Sequence, residues 1–140
     1  MTETQTQTQT QTQTQTQILI QFKNSLVSFI DELVESFPNE ADLIILRIFL
    51  KDQISIEDVI NKFIYIINKD DQKLKNDIKT RNESVFLENE IFQSISKTKV
   101  LNFQKLWSSD NLDKDEKNTV WLWIDSFVIL TDRYTKIKLN

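Results

Sequence analysis

The sequence contains no glycine, no cysteine and no histidine, and only one proline and one methionine. Each absence removes a class of chemistry. Without cysteine there is no disulfide, no thiolate nucleophile and no zinc–thiolate site. Without histidine the usual general base and the commonest transition-metal ligand are missing. Carboxylate di-iron centres in helical bundles go with them, because those need Glu-x-x-His pairs. Without glycine neither a Walker A loop nor a G-x-G-x-x-G turn can be built. Left-handed positions at helix ends then fall to asparagine or aspartate. Long apolar runs are missing as well. The longest, "LIILRIFL" from Leu43 to Leu50, contains Arg47 and falls well short of the roughly 20 residues that a membrane helix needs. The start is polar and lacks a basic segment ahead of an apolar one, so the chain is not expected to be secreted.

What is present describes one domain. Of 140 residues, 39% are hydrophobic and 27% charged, the balance of an ordinary globular protein. The opening "MTETQTQTQTQTQTQTQ" has no aliphatic or aromatic residue after Met1. A disordered low-complexity tail is therefore expected over 1–17, and a single helical domain over 18–140. The tail reads as a polar tether, a β-prone self-associating segment, or an expanded gene repeat without a role. The net charge is -4 with acids and bases interspersed, which gives nucleic acid no long-range attraction. Lysine outnumbers arginine fourteen to three, with eighteen isoleucines and eleven asparagines. All of these favoured residues have A/T-rich codons, which points to an A/T-rich genome.

Beyond the tail the apolar spacing is helical throughout. Phe22, Leu26, Phe29, Ile30, Leu33 and Phe37 recur at steps of three and four, and Pro38 stops the helix behind them. A second helix starts behind Asn39 as N-cap, with Asp42 in its first turn. A third starts behind Ser55, with Asp58 reaching back and Val59, Phe63, Ile66 and Ile67 as its stripe. Leu74, Ile78, Val85 and Phe86 keep helical spacing through a charged stretch with a break near Asn82. Phe103, Leu106 and Trp107 mark a short helix, and Asp113 caps the last and longest one, to about Ile137. The fold class expected is all-α: a compact bundle of five or six helices with short loops.

Searching for chemistry finds little. "DNLDKDEKN" offers Asp110, Asp113 and Asp115, but without the phase or the glycine of an EF-hand loop, and "NKDDQKLKND" puts Lys79 at the twelfth position. Both read as solvated turns. No pair of carboxylates is marked out for acid–base work, so no enzymatic activity, cofactor, metal or small-molecule substrate is expected. Lys69, Lys73, Lys75, Lys79 and Arg81 form the most basic stretch, yet Asp70, Asp71 and Asp77 interrupt it. A solvated helix face accounts for that better than a phosphate-binding patch. Arg47 either pairs with a carboxylate or marks the edge where its helix meets solvent or a partner.

"NTVWLWIDSFVILTDRY", Asn118 to Tyr134, is the richest aromatic run. At 100° per residue Val120, Ile124, Phe127, Thr131 and Tyr134 share one arc, flanked by Trp121 and Val128 on one side and Trp123 and Leu130 on the other. That is a wide core stripe. Leu122 and Ile129 point the opposite way. They either pack under another element or form an apolar patch for a protein partner or a second copy. Leu122, Ile129, Arg133 and Arg47 are accordingly the candidate partner-binding residues.

Four segments together carry a resemblance: "FKNSLVSFIDELVESFPNEADLIILRIFLKDQI", "RNESVFLEN", "FQKLWSSDNLD" and "DEKNTVWLWIDSFVILTDRY". Over residues 22 to 135 the chain resembles small uncharacterised helical proteins of nucleocytoplasmic large DNA viruses, the mimivirus-like giant viruses. The resemblance implies a setting, namely the host cytoplasm with its viral factory, or the virion. It brings no catalytic residues. It implies a viral protein acting through protein contacts, as a minor virion component or assembly factor. The alternatives are a nucleic-acid-associated accessory factor and a host-directed helical adaptor. If "RNESVFLEN" is a family signature, Arg81, Asn82, Glu83 and Phe86 form a capped, salt-bridged junction between helices.

Overall fold

The computed structural model describes the backbone of residues 2–87 and 103–139, and the side chains of residues 11–87 and 104–138. Among these residues there is no strand, and the fold is all-α and compact. In chain order the helices are α1 (Thr2–Ser36), α2 (Ala41–Ile48), α3 (Ile56–Asn68), α4 (Lys73–Lys79), α5 (Ser84–Leu87), α6 (Phe103–Trp107) and α7 (Lys114–Leu139). A π-helical turn, Phe49–Gln53, follows α2 directly. Among the described residues the expected five or six helices are seven, with the break near Asn82 separating α4 from α5. No helix among the described residues is long and apolar enough to cross a membrane.

α1 and α7 are the long pair, and they run antiparallel. Ser36 donates to Glu116, Trp123 donates to Glu32, and Phe22 meets Phe127, so numbers rise on one helix as they fall on the other. α3 closes the third side. Phe22, Phe29, Phe63 and Phe127 meet there with ring centroids 5.6–6.0 Å apart, in the tilted and edge-on geometries that aromatic quadrupoles favour. The wide stripe expected on the last helix is buried here: Val120, Ile124, Phe127, Leu130, Thr131 and Tyr134 all lie in the core. Thr131 satisfies its hydroxyl on the Val128 carbonyl at 2.8 Å. A second aromatic group packs at the α5–α6 corner, where Phe86 stacks on Trp107 at 4.1 Å and both rings meet Trp121 of α7.

Several details differ from the sequence reading. The backbone of Thr2 to Gln17, expected to be a disordered tail, is helical and continuous with α1. Once the buried half is folded, each added residue gains one hydrogen bond without repeating the cost of nucleation. Glutamine suits a helix, and the Thr16 hydroxyl bonds the Thr12 carbonyl four residues back at 2.9 Å. The first buried residue among the described side chains is Ile18. The N-cap of α2 is Glu40 rather than Asn39, and it makes no side-chain cap bond. Ser55 does occupy the N-cap of α3, but its hydroxyl makes no cap bond either. Asp113 caps α7 as expected, accepting from the Glu116 amide at 2.8 Å. Glu116 spends its carboxylate on the Ser36 hydroxyl, 2.9 Å away, which ties the start of α7 to the end of α1.

Candidate functional site

The outer face of α7 carries Leu122 and Ile129 at 60% and 58% exposure. No element among the described residues packs over them. Seven residues apart, they stand two turns from each other on one line, about 10 Å along the axis. Arg133 continues that line and is exposed.

Beside this line α4 packs against α7 and leaves a cleft of ≈ 350 Å³ lined by Lys75, Ile78, Lys79, Asp125, Val128 and Ile129. Buried Ile78 supplies the floor and the charges supply the rim. Two ion pairs clamp its walls. Lys75 Nζ lies 2.7 Å from Asp132 Oδ1. Arg81 grips Asp125 with both terminal nitrogens, Nη1 to Oδ1 at 2.7 Å and Nη2 to Oδ2 at 2.6 Å. The Arg81 guanidinium also lies over the Trp121 ring, 5.5 Å from its centroid. Hydrogen bonding to Asp125 holds the Arg81 pKa above its ordinary value, with a smaller opposing effect from burial.

Arg81 earns its position against a backbone penalty. Its φ is 58°, in the left-handed region that favours glycine. The Asn82 amide bonds the Asp77 carbonyl at 2.8 Å and the Arg81 amide bonds the Ile78 carbonyl at 3.1 Å. This is a Schellman end to α4, built without glycine. Asp71 and Gln72 are left-handed too, at φ 50° and 68°, so the expectation that only Asn or Asp would take such positions is corrected by Gln72 and Arg81. The cost, about 1–2 kcal/mol per residue, sets up a test on two variants. Arg81→Ala keeps the strain and loses the clamp, and is expected to destabilise by about 1 kcal/mol, since a half-exposed pair is worth little more. Arg81→Gly loses the same clamp but relieves the strain, and should be the more stable of the two by roughly 1 kcal/mol. A raised arginine pKa stabilises below the unfolded value and is lost only as pH rises through the folded one, beyond ordinary alkaline conditions. The gap between Arg81→Ala and the parent should therefore be the same at about pH 7 and about pH 10 in urea titrations.

The other junction residues converge on the same corner. Asn82 Oδ1 accepts from the Ser84 amide at 3.0 Å, opening α5. Glu83 Oε1 accepts from the Trp107 indole at 3.3 Å, and Phe86 fills the space between Trp107 and Trp121. Arg81, Asn82, Glu83 and Phe86 thus join α4, α5, α6 and α7.

Arg47 is elsewhere. Its Nε pairs with Asp31 of α1, both side chains partly exposed, and it lines no part of the α4–α7 cleft. It is at once an edge residue and a paired one. Sequence reasoning missed Lys75 and Asp125 as walls of the cleft, because their partners, Asp132 and Arg81, lie 57 and 44 residues away. It also missed a second exposed apolar line, Ile44, Ile45 and Ile48 on α2.

No family model matches the chain, and neither does any curated protein or solved structure. Among the described residues no group of three or more acidic side chains is placed to hold a metal ion.

Proposed function

We propose that this is a non-enzymatic viral protein that works through protein contacts, as a minor virion component or assembly factor, and that the α4–α7 cleft with Leu122 and Ile129 is its partner-binding face. The exposed pair Leu122 and Ile129, set beside an apolar-floored cleft, carries the reading. Apolar residues that a helix shows to solvent on a fixed two-turn spacing suit the stripe of a partner helix. Lys79, Arg133 and Lys136 are exposed and have no ion-pair partner among the described residues. They favour a partner whose apolar stripe is flanked by acids. The viral setting rests on the sequence resemblance and on the bias towards lysine, isoleucine and asparagine, whose codons are A/T-rich. The lack of enzymatic activity rests on the missing histidine, cysteine and glycine.

A photo-crosslinking residue placed at Ser126, between the two anchors, tests this in infected cells. Crosslinks to a virus-encoded protein are expected, and Ile129→Lys should reduce them at least about ten-fold by burying an unpaired charge. A host protein as the crosslinked species would favour the host-directed adaptor instead. Ile129→Lys leaving the crosslinks unchanged would remove the cleft from consideration. The nucleic-acid reading is weaker, because two of the five bases between Lys69 and Arg81 are already held by Asp132 and Asp125.

A further inference from the structure

α2 is apolar on both sides. Its inner side buries Leu43 and Leu46, continued by Leu50 of the π-helical turn. Its outer side carries Ala41, Ile44, Ile45 and Ile48, at the i, i+3, i+4, i+7 spacing of a helix-pairing seam. All four are exposed, and the three isoleucines keep 44–46% of their surface in solvent. The octet "LIILRIFL" thus splits into a core half and a half that its own fold leaves open.

The charges beside this seam specify what covers it. Glu40, Arg47 and Lys51 are spaced by seven and four residues and therefore share one flank, acidic at the start and basic at the end. Asp42 and Phe49 share the other. A second copy lying antiparallel across a two-fold axis brings like flanks together in reversed order. That sets Glu40 of each copy between Arg47 and Lys51 of the other, twice, by symmetry. A parallel pair brings unlike flanks together and sets Glu40 against Asp42. Antiparallel pairing also opposes the helix dipoles favourably. Neither Glu40 nor Lys51 has an ion-pair partner within one copy among the described residues.

We infer that the chain self-associates through the outer face of α2, as an antiparallel two-fold dimer with Ile44, Ile45 and Ile48 at its centre and Glu40–Lys51 contacts at its rim. The inference rests on reading the protein as one that works through protein contacts, but on a surface separate from the α4–α7 cleft. Two turns of helix supply less than the roughly 800 Å² per partner of a standard interface, so the dimer belongs to the weak class.

Sedimentation equilibrium of the full chain from about 5 to about 500 μM tests it, because a weak dimer is concentration-dependent. A monomer–dimer equilibrium is expected. Ile45→Lys, an exposed position that the fold does not need, should raise the dissociation constant at least about ten-fold. Glu40→Lys should weaken the dimer, and Glu40→Lys combined with Lys51→Glu should recover part of that loss. Ile129→Lys should leave the dimer intact, which separates this inference from the reading of the cleft. A monomer over the whole range overturns the inference, as does a dimer that Ile45→Lys leaves unchanged. A double charge variant no better than Glu40→Lys alone overturns the antiparallel arrangement.

Discussion

Phe127→Ala is expected to destabilise the protein by about 3–5 kcal/mol, the range for emptying a well-packed aromatic site. Phe127 is fully buried and touches the rings of Phe22, Phe29 and Phe63, with Trp123 stacked 6.3 Å away. These neighbours belong to α1, α3 and α7, so the cavity opens where all three meet. Rigid helices anchored at several other points cannot close into it, which keeps the cavity cost high. Phe127→Leu retains much of the volume and should lose only about 1–2 kcal/mol. Urea denaturation checks both, with an unchanged slope expected if the transition stays two-state. A loss below about 1 kcal/mol for the alanine variant would mean that the three helices do not share this ring as their common contact.

The second large effect is expected at Trp107. Its ring is buried, stacks on Phe86, meets Trp121 edge-on, and lies under the Lys117 ammonium at 5.1 Å. Trp107→Ala should cost about 3–5 kcal/mol, but with a different signature. α5 and α6 are single turns of four and five residues, too short to persist without packing. Without the indole they lose their docking surface while the α1–α3–α7 core stays closed. Hydrogen exchange should therefore rise first at Ser84–Leu87 and leave Ile124–Leu130 protected. Uniform loss of protection would show the corner and the core to be one cooperative unit. Trp107→Phe keeps the stack and forfeits the bond to Glu83, so it should be milder by at least about 1–2 kcal/mol.

Much of the architecture was legible because helices declare themselves locally. The three- and four-residue steps from Phe22 to Leu33 and from Val120 to Tyr134 named the buried faces of α1 and α7 correctly. Pro38 placed the end of α1, and Asp113 placed the start of α7. Caps were less legible at α2, where Glu40 takes the position expected of Asn39. An N-cap choice is worth about 1 kcal/mol, and the packing of Leu43 and Leu46 against α1 can outweigh it. The helical backbone of Thr2 to Gln17 was hidden for a related reason. Composition reports whether a segment can bury surface, not whether a neighbouring helix will extend through it.

The candidate sites were only half legible. Periodicity isolated Leu122 and Ile129 as residues that one core face could not absorb, but it could not say whether another element covers them. That depends on where α4 lies, and α4 is held by Lys75–Asp132 and Arg81–Asp125, contacts that span 57 and 44 residues. Nothing in local spacing encodes such pairs. The same limit applied to "LIILRIFL", where every apolar position looks equally suited to a core.

The sequence by itself determined the class of object: an all-α fold whose missing glycine, cysteine and histidine exclude thiolate, imidazole and glycine-loop chemistry. Those conclusions follow from residue identity and from a period of 3.6, both of which are local properties. Only the tertiary structure decided which apolar residues face solvent, which charges are already paired, and that Arg81 rather than an asparagine or aspartate turns the chain between α4 and α5. Those outcomes depend on which helix lies beside which, and that is settled by packing between residues far apart in the chain.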